Sequence, residues 1–337
     1  MASVGIIGAS GFTGAELLRT CASHPGLDVR FATGDSQAGT AVADLYPSLA
    51  AAYPGLVFEP WDPALLDGVD AVFLGLPHGA SQSIVGDLLG RVAVVDLAAD
   101  FRLPDAASYE TWYHEPHECP ELLDRFVYGL PELHRERIAG ADAVAVPGCY
   151  PTAATLALAP LVRAGLVETT GVIVDAVSGV SGAGRAPKHS TSFCTVDEDV
   201  TAYGLLDHRH TAEMEMNLGA SVLFTPHLVP MNRGILATCY ARPTGALTTA
   251  DVLGALQDAY ADEPFVVAAE RSPSTKATLG SNAAHVTARF DERTGTVLAI
   301  GAIDNLGKGA SGQAVQCMNL VLGLPEGQGL SLVGTAP

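Results

Sequence analysis

The sequence predicts an α/β chain in two parts: a doubly wound parallel sheet, then an α+β domain built on a mostly antiparallel sheet. Three observations predict it. Short apolar runs alternate with helical stretches over the first 147 residues. A glycine-rich turn joins the first of these runs to the first helix. Beyond residue 147 the strand-like runs lengthen and helices become sparse.

Residues 4–7 are a short apolar run of the buried-strand type, and 14–21 read as a helix. Residues 29–32, 71–76 and 93–96 read as further buried strands, with a helix over 79–89 between the last two. Residues 141–146 supply a last strand. Pro151 then predicts a helix beginning near Thr152. Strand-like runs follow at 171–177, 221–229, 235–241, 285–290 and 296–302, and 250–260 is the clearest helix among them. A final helix over 309–322 is expected to pack back onto the first domain. No repeat or low-complexity segment interrupts the chain.

With 337 residues, 48% of them hydrophobic, the chain can bury a sizeable core, and 16% charged residues argue against extensive disorder. The formal charge of -19 disfavours nucleic acid, whose recognition needs Lys and Arg in bulk, and disfavours an anionic membrane surface. The start MASVGIIGAS lacks the basic residues and long apolar stretch of a signal peptide, and no 18-residue apolar run offers a membrane span. The cysteines at 21, 119, 149, 194, 239 and 317 form no CxxC pair, so a reduced, cytoplasmic chain is expected.

GASGFTG (8–14) follows a strand and opens a helix. Glycines at 8, 11 and 14 let the turn close and let backbone N–H groups approach a pyrophosphate at the helix N-terminus, the Rossmann-type arrangement. Asp35 lies about 20 residues further on, where dinucleotide folds read the adenosine ribose. An acidic residue there suits the free 2′-hydroxyl of NAD, and a basic one suits the 2′-phosphate of NADP. Thr33 and Ser36 are further donors in TGDSQAG (33–39), which has no basic residue.

Cys149 stands in VPGCYPTA (146–153), between a Pro-Gly turn and the predicted helix. A helix N-terminus favours thiolate over thiol, and its free N–H groups can hold a developing oxyanion. Cys21, Cys239 and Cys317 sit in apolar runs and read as core residues. His208 and His210, flanking Arg209 in HRHTAE (208–213), can take and return the thiol proton, with a solvated turn before the helix over 212–218 as the alternative.

Two other constellations carry ionisable groups. HEPHEC (114–119) resembles a metal cluster in composition, but its prolines and the lack of a second cluster favour a surface loop, and no metal is expected. Arg102 in ADFR (99–102) and Arg185 in SGVSGAGR (178–185) can hold a phosphate or carboxylate of the substrate.

Taken together, the motifs resemble those of the N-acetyl-γ-glutamyl-phosphate reductase family, relatives of aspartate-semialdehyde dehydrogenase. They are GASGFTGAELLR (8–19), GLPHG (75–79), DLAADFRL (96–103), YGLPE (128–132), VPGCYPTA, SGVSGAGR, HRHTAE, PHLVPMNRGILAT (226–238), PSTK (273–276) and IDNLGKGASGQAVQCMN (303–319). The resemblance runs from Val4 to about Leu322. It implies a semialdehyde-dehydrogenase-like fold, with a dinucleotide-binding domain over 1–147 completed by a C-terminal helix at about 309–337. A catalytic and oligomerisation domain over 148–308 follows from it too. The implied reaction is reduction of an acyl phosphate by NADPH to a semialdehyde, in arginine biosynthesis. It further implies Cys149 as nucleophile, His208 as general acid/base, and His210 and Tyr203 in support. Gly8, Ser10, Gly11, Phe12, Thr13 and Gly14 would cradle the pyrophosphate. Pro77, His78, Ser178, Gly179 and Asn305 would lie along the cofactor. Many members carry Arg near position 35 where this chain has Asp35, so NADP is the implied cofactor and NAD stays open. The implied partner is a small acyl phosphate, and the implied assembly a homodimer or homotetramer. Aspartyl phosphate, a carrier-bound aminoadipyl phosphate, and a non-catalytic NADP-sensing protein are the alternative readings.

Overall fold

The computed structural model describes residues 1–335 and divides the chain into two compact units. The first comprises Met1–Pro147 and Ala310–Leu330. Its elements are β1 (Ala2–Ile7), α1 (Phe12–Cys21), β2 (Leu27–Thr33), α2 (Val42–Leu45), β3 (Phe58–Glu59), β4 (Ala71–Leu74), α3 (Val85–Leu88), β5 (Ala93–Asp96), α4 (Ala106–Tyr113), β6 (Val127–Tyr128), α5 (Pro131–Ile138) and β7 (Ala143–Ala145). The strands form one parallel sheet in the order β3-β2-β1-β4-β5-β7-β6. Its central strands are buried on both sides, which is why β1, β4 and β5 read as continuous apolar runs. The order reverses at β1, and ligands of such sheets bind beyond the carboxyl ends of the strands there.

The second unit spans Gly148–Gly309 and adds 331–335. It contains α6 (Cys149–Arg163), β8 (Val172–Gly179), α7 (Phe193–Val196), β9 (Thr201–Ala202), α8 (His210–Leu218), β10 (Val222–Val229), β11 (Ile235–Ala241), α9 (Thr249–Ala259), β12 (Val266–Ala268), β13 (Ala284–Asp291) and β14 (Thr296–Ile303). Its sheet runs β12-β13-β14-β11-β8-β10-β9. Four of the six pairings are antiparallel, while β8–β10 and β12–β13 are parallel, so the sheet is mixed. Helix α6 packs on one face of it: a β-carbon on Gly301 of β14 would lie 2.5 Å from the carbonyl oxygen of Ala153. The last helix, α10 (Gly312–Val321), belongs to the first unit, where Ala314, Val315, Cys317 and Met318 enter the core beside Val4, Ile6 and Leu17.

Two expected helices differ. Only Val85–Leu88 of the stretch 79–89 is helical. The backbone N–H groups of Gly79 and Ser81, and the Ser81 hydroxyl, all donate to the buried Asp100 carboxylate, which holds the segment in turns. Helix α6 starts at Cys149 and not near Thr152. The first four N–H groups of a helix have no intrahelical partner, so Pro151 is tolerated inside the first turn. Among the described residues, no helix is long and apolar enough to cross a membrane.

Candidate active site

In the first unit, β1 ends in a turn that only glycine can make. Gly8 has φ +83°, and a β-carbon there would lie 2.7 Å from the carbonyl oxygen of Gly75. At Gly14 it would lie 2.4 Å from Ala9 Cα, so helix α1 packs directly on the turn. Gly11 is the N-cap of α1 and supplies no side-chain cap, and the first turn holds no acidic residue. The Tyr46 hydroxyl braces the turn from outside by donating to the Ser10 carbonyl, and the Ser311 hydroxyl donates to that of Thr13. Phe12 begins the helix. The turn carries the positive end of the α1 dipole with no side-chain cap or acidic residue on it, which fits a pyrophosphate.

Thr33 is buried, and its hydroxyl accepts the N–H of Gly8, so it fastens this turn from within. Asp35 and Ser36 are exposed on a turn just beyond β2.

At the end of β4, His78 is bracketed by two carboxylates, with Nδ1 2.8 Å from Asp100 Oδ1 and Nε2 2.7 Å from Glu115 Oε1. Its ring stacks on Tyr113 at 4.5 Å. Neighbouring Pro77 is exposed. Burial works to raise the Asp100 pKa, but hydrogen bonds from His78, Gly79 and Ser81 prevail and hold it below the ordinary carboxylate range. Asp96, fully buried and facing Asp100, is pushed up to about 7 by burial and by that neighbouring charge. Arg102 donates to the Leu97 carbonyl. His117 meets the Asp100 carbonyl and the Cys119 N–H, so HEPHEC is a braced loop, and no metal-binding group of three or more such residues occurs among the described residues.

In the second unit, Cys149 is the first residue of α6, half-buried, after the N-cap Gly148. Gly148 N–H donates to Glu213 Oε2 at 2.8 Å. Glu213 is fully buried, and its Oε1 lies 3.9 Å from His210 Nε2. His208 stands with its ring 4.7 Å from that of His210, and its Nδ1 accepts the His210 backbone N–H. Tyr150, Tyr203 and Phe224 wall the His208 ring at 5.9, 5.5 and 5.2 Å. Burial, helped by the charge of Arg209, pushes the His208 pKa down to about 4. Tyr203 donates its hydroxyl to Tyr150, which donates to the His227 carbonyl. Burial raises both phenols, that of Tyr203 to about 12. The cluster therefore combines a helix-terminal thiol with an imidazole that is neutral at physiological pH and phenols that keep their protons.

Ser178 is buried and donates to the Gly179 carbonyl. A β-carbon on Gly179 would lie 2.7 Å from the Asn232 backbone. Asn305 accepts the Gly234 N–H and donates to the Ser181 hydroxyl, so its amide clamps two loops. Arg185 is half-buried, beyond the turn Val180–Ala183. Sequence reasoning missed Glu213, Tyr150 and Asp100. The signal for Glu213 was its i,i+3 spacing from His210, which puts both on one helix face. Tyr150 and Asp100 carry no local signal, because their partners are 53 to 77 and 19 to 22 residues away.

Residues 3–141 match the NAD binding domain of the semialdehyde dehydrogenases, and residues 149–305 match their dimerisation domain. The chain is 47% identical to the N-acetyl-gamma-glutamyl-phosphate reductase of Geobacter sulfurreducens, and 45% identical to that of Pseudomonas putida, with all of each chain covered. Among solved structures, aspartate semialdehyde dehydrogenase II of Vibrio cholerae, complexed with ASA, superposes with a TM-score of 0.72 at 16% identity, covering 96% of this chain and 98% of that one. The Candida albicans aspartate semialdehyde dehydrogenase with NADP has the same TM-score at 15% identity and the same coverage. These two show the fold alone. With relatives this similar over the full length, the chain belongs to the N-acetyl-gamma-glutamyl-phosphate reductase family, within the semialdehyde dehydrogenases.

Proposed function

We propose that this chain reduces N-acetyl-L-glutamyl 5-phosphate to N-acetyl-L-glutamate 5-semialdehyde, releasing phosphate, as a step of arginine biosynthesis in the cytoplasm. The observation that carries this reading is Cys149 at the N-terminus of α6, beside the His208–His210–Glu213 cluster, in a chain 47% identical to a reductase of that name. The Cys149 thiolate adds to the γ-carbonyl carbon, the C–O bond to phosphate breaks, and a thioester remains. The helix N-terminus supports the negative charge that develops on sulfur and then on the carbonyl oxygen. Residues 8–14 would hold a dinucleotide, whose reduced nicotinamide would supply the hydride that the thioester carbon needs. His208 is the acid/base: neutral at the outset, it accepts the thiol proton and returns one to the oxygen. His208 then takes that proton back as the C–S bond breaks, giving the aldehyde and freeing the Cys149 sulfur. His210 and Tyr203 hold the site together, while Arg102 and Arg185 are the cations for phosphate or carboxylate. The resemblance implies NADPH, and the residues that decide between it and NADH stand at the end of β2.

The substrate is a small acyl phosphate, and the proposed assembly is a homodimer or homotetramer. The face of the second sheet away from α6 carries Leu223, Ile173, Tyr240 and Leu298 paired across four adjacent strands. The first three are 36 to 48% exposed, an apolar ribbon suited to a second copy.

The test is the reverse reaction: N-acetylglutamate semialdehyde, oxidised dinucleotide and phosphate, followed by the appearance of reduced nicotinamide. Activity should require phosphate and vanish in Cys149→Ser. A Cys149→Ser enzyme with near-wild-type turnover sinks the assignment, and preference for aspartate semialdehyde favours the alternative substrate.

A further inference from the structure

The adenosine end of the first unit does not fit a 2′-phosphate. Asp35 is the first residue of the turn Asp35–Gln37, directly beyond the carboxyl end of β2. This turn abuts the glycine cradle: a β-carbon on Gly34 would lie 3.0 Å from Ser10 Cβ. A ribose whose pyrophosphate occupies the cradle therefore meets Asp35 first, as dinucleotide sheets of this order require.

The first unit offers no cation beside this turn to balance a phosphate. The sequence holds no Lys or Arg from residue 31 to residue 90, and its three lysines are at 188, 276 and 308, all in the second unit. The arginines of the first unit are engaged or lie elsewhere. Arg19 pairs with Glu16 in α1. Arg30 pairs with Asp28, toward the amino end of β2. Arg91 reaches the Pro63 carbonyl and Asp67. Arg102, Arg125, Arg135 and Arg137 follow β5 in sequence, and β5 is three strands from β2, about 14 Å across the sheet. The nearest charge from a neighbouring strand is acidic too, since Glu59 is paired with Thr33 across β2 and β3. Of the neutral donors, the Thr33 hydroxyl is buried against Gly8, and only Ser36 is exposed.

We propose that Asp35 is the cofactor-specificity residue of this chain: its carboxylate accepts hydrogen bonds from the adenosine ribose hydroxyls and repels a 2′-phosphate, so that NADH is preferred to NADPH. The proposal rests on the reading of the 8–14 cradle as a nicotinamide-dinucleotide site, and it departs from the NADPH that the resemblance implies. Specificity here is a difference of affinities, built from one attraction and one repulsion acting at the same atom position.

The test is calorimetric titration of the full-length chain with NADH and with NADPH, in the absence of substrate. NADH should bind at least about tenfold more tightly, the ratio expected from placing like charges within hydrogen-bonding range. Asp35→Asn should abolish most of that ratio, and Asp35→Arg should reverse it while leaving the melting temperature of the free chain unchanged. Tighter binding of NADPH by the unaltered chain, or a ratio that Asp35→Asn leaves untouched, overturns the proposal alone. Binding of neither dinucleotide by a folded chain overturns the cradle reading, and the proposal with it.

Discussion

Gly148 and His210 are packed so closely that a β-carbon on Gly148 would lie 2.5 Å from His210 Nε2. The glycine is not required by its backbone, which has φ -65° and ψ 153°, a conformation open to any residue. It is required by the imidazole. Gly148→Ala should therefore fold normally and displace the His210 ring, lowering kcat by about tenfold to a hundredfold, as sub-ångström to ångström misplacements do. Steady-state kinetics beside a thermal melt check this, and unchanged kcat would show that His210 stands outside the chemistry.

Glu213, on α8, ties that helix to the start of α6 through the Gly148 N–H. Glu213→Gln keeps an acceptor and removes the charge, so stability should hold while kcat falls about tenfold. Glu213→Ala leaves a buried N–H without its acceptor, and should cost about 1–3 kcal/mol of stability, read by denaturant unfolding.

His208 gives the site its expected pH dependence. Its pKa in the fold is about 4, against an unperturbed value near 6.5. If neutral His208 is the base, the acid limb of kcat/KM attributable to it lies near pH 4. Arg209→Ala removes the neighbouring positive charge and should move that limb upward. The stability effect has a definite sign. Between pH 6.5 and about 4 the unfolded chain binds a proton that the fold refuses, so this contribution is full above pH 6.5 and declines as pH falls. A pH series of unfolding midpoints, with His208→Gln as the reference, reads it.

The open face of the second sheet should be sensitive to charge. Tyr240 lies opposite both Ile173 and Leu298, so Tyr240→Asp places a carboxylate in the middle of the apolar ribbon. The dissociation constant of the assembly should rise by about a hundredfold or more. Sedimentation at several concentrations checks this, and a monomeric parent chain removes the assembly proposal.

The alternation of apolar runs with helices was legible because strands buried on both faces need no polar residue, and the glycines at 8 and 14 because nothing larger fits. Cys149 was legible as well, since a Pro-Gly turn before a helix is a local pattern. The tertiary structure alone decided the rest. Asp100 turned the expected 79–89 helix into a series of hydrogen-bonded turns from 19 to 21 residues away. Glu213 took the Gly148 N–H from 65 residues away, and Thr33 closed its hydroxyl over Gly8 from 25 residues away. Local sequence sets backbone preference and burial pattern, whereas hydrogen-bond partners of buried groups are settled only when distant segments meet. That is why Cys149 at the start of a helix and the neighbouring His208 and His210 could be read from the sequence, while Glu213 and Asp100, which brace their surroundings, could not.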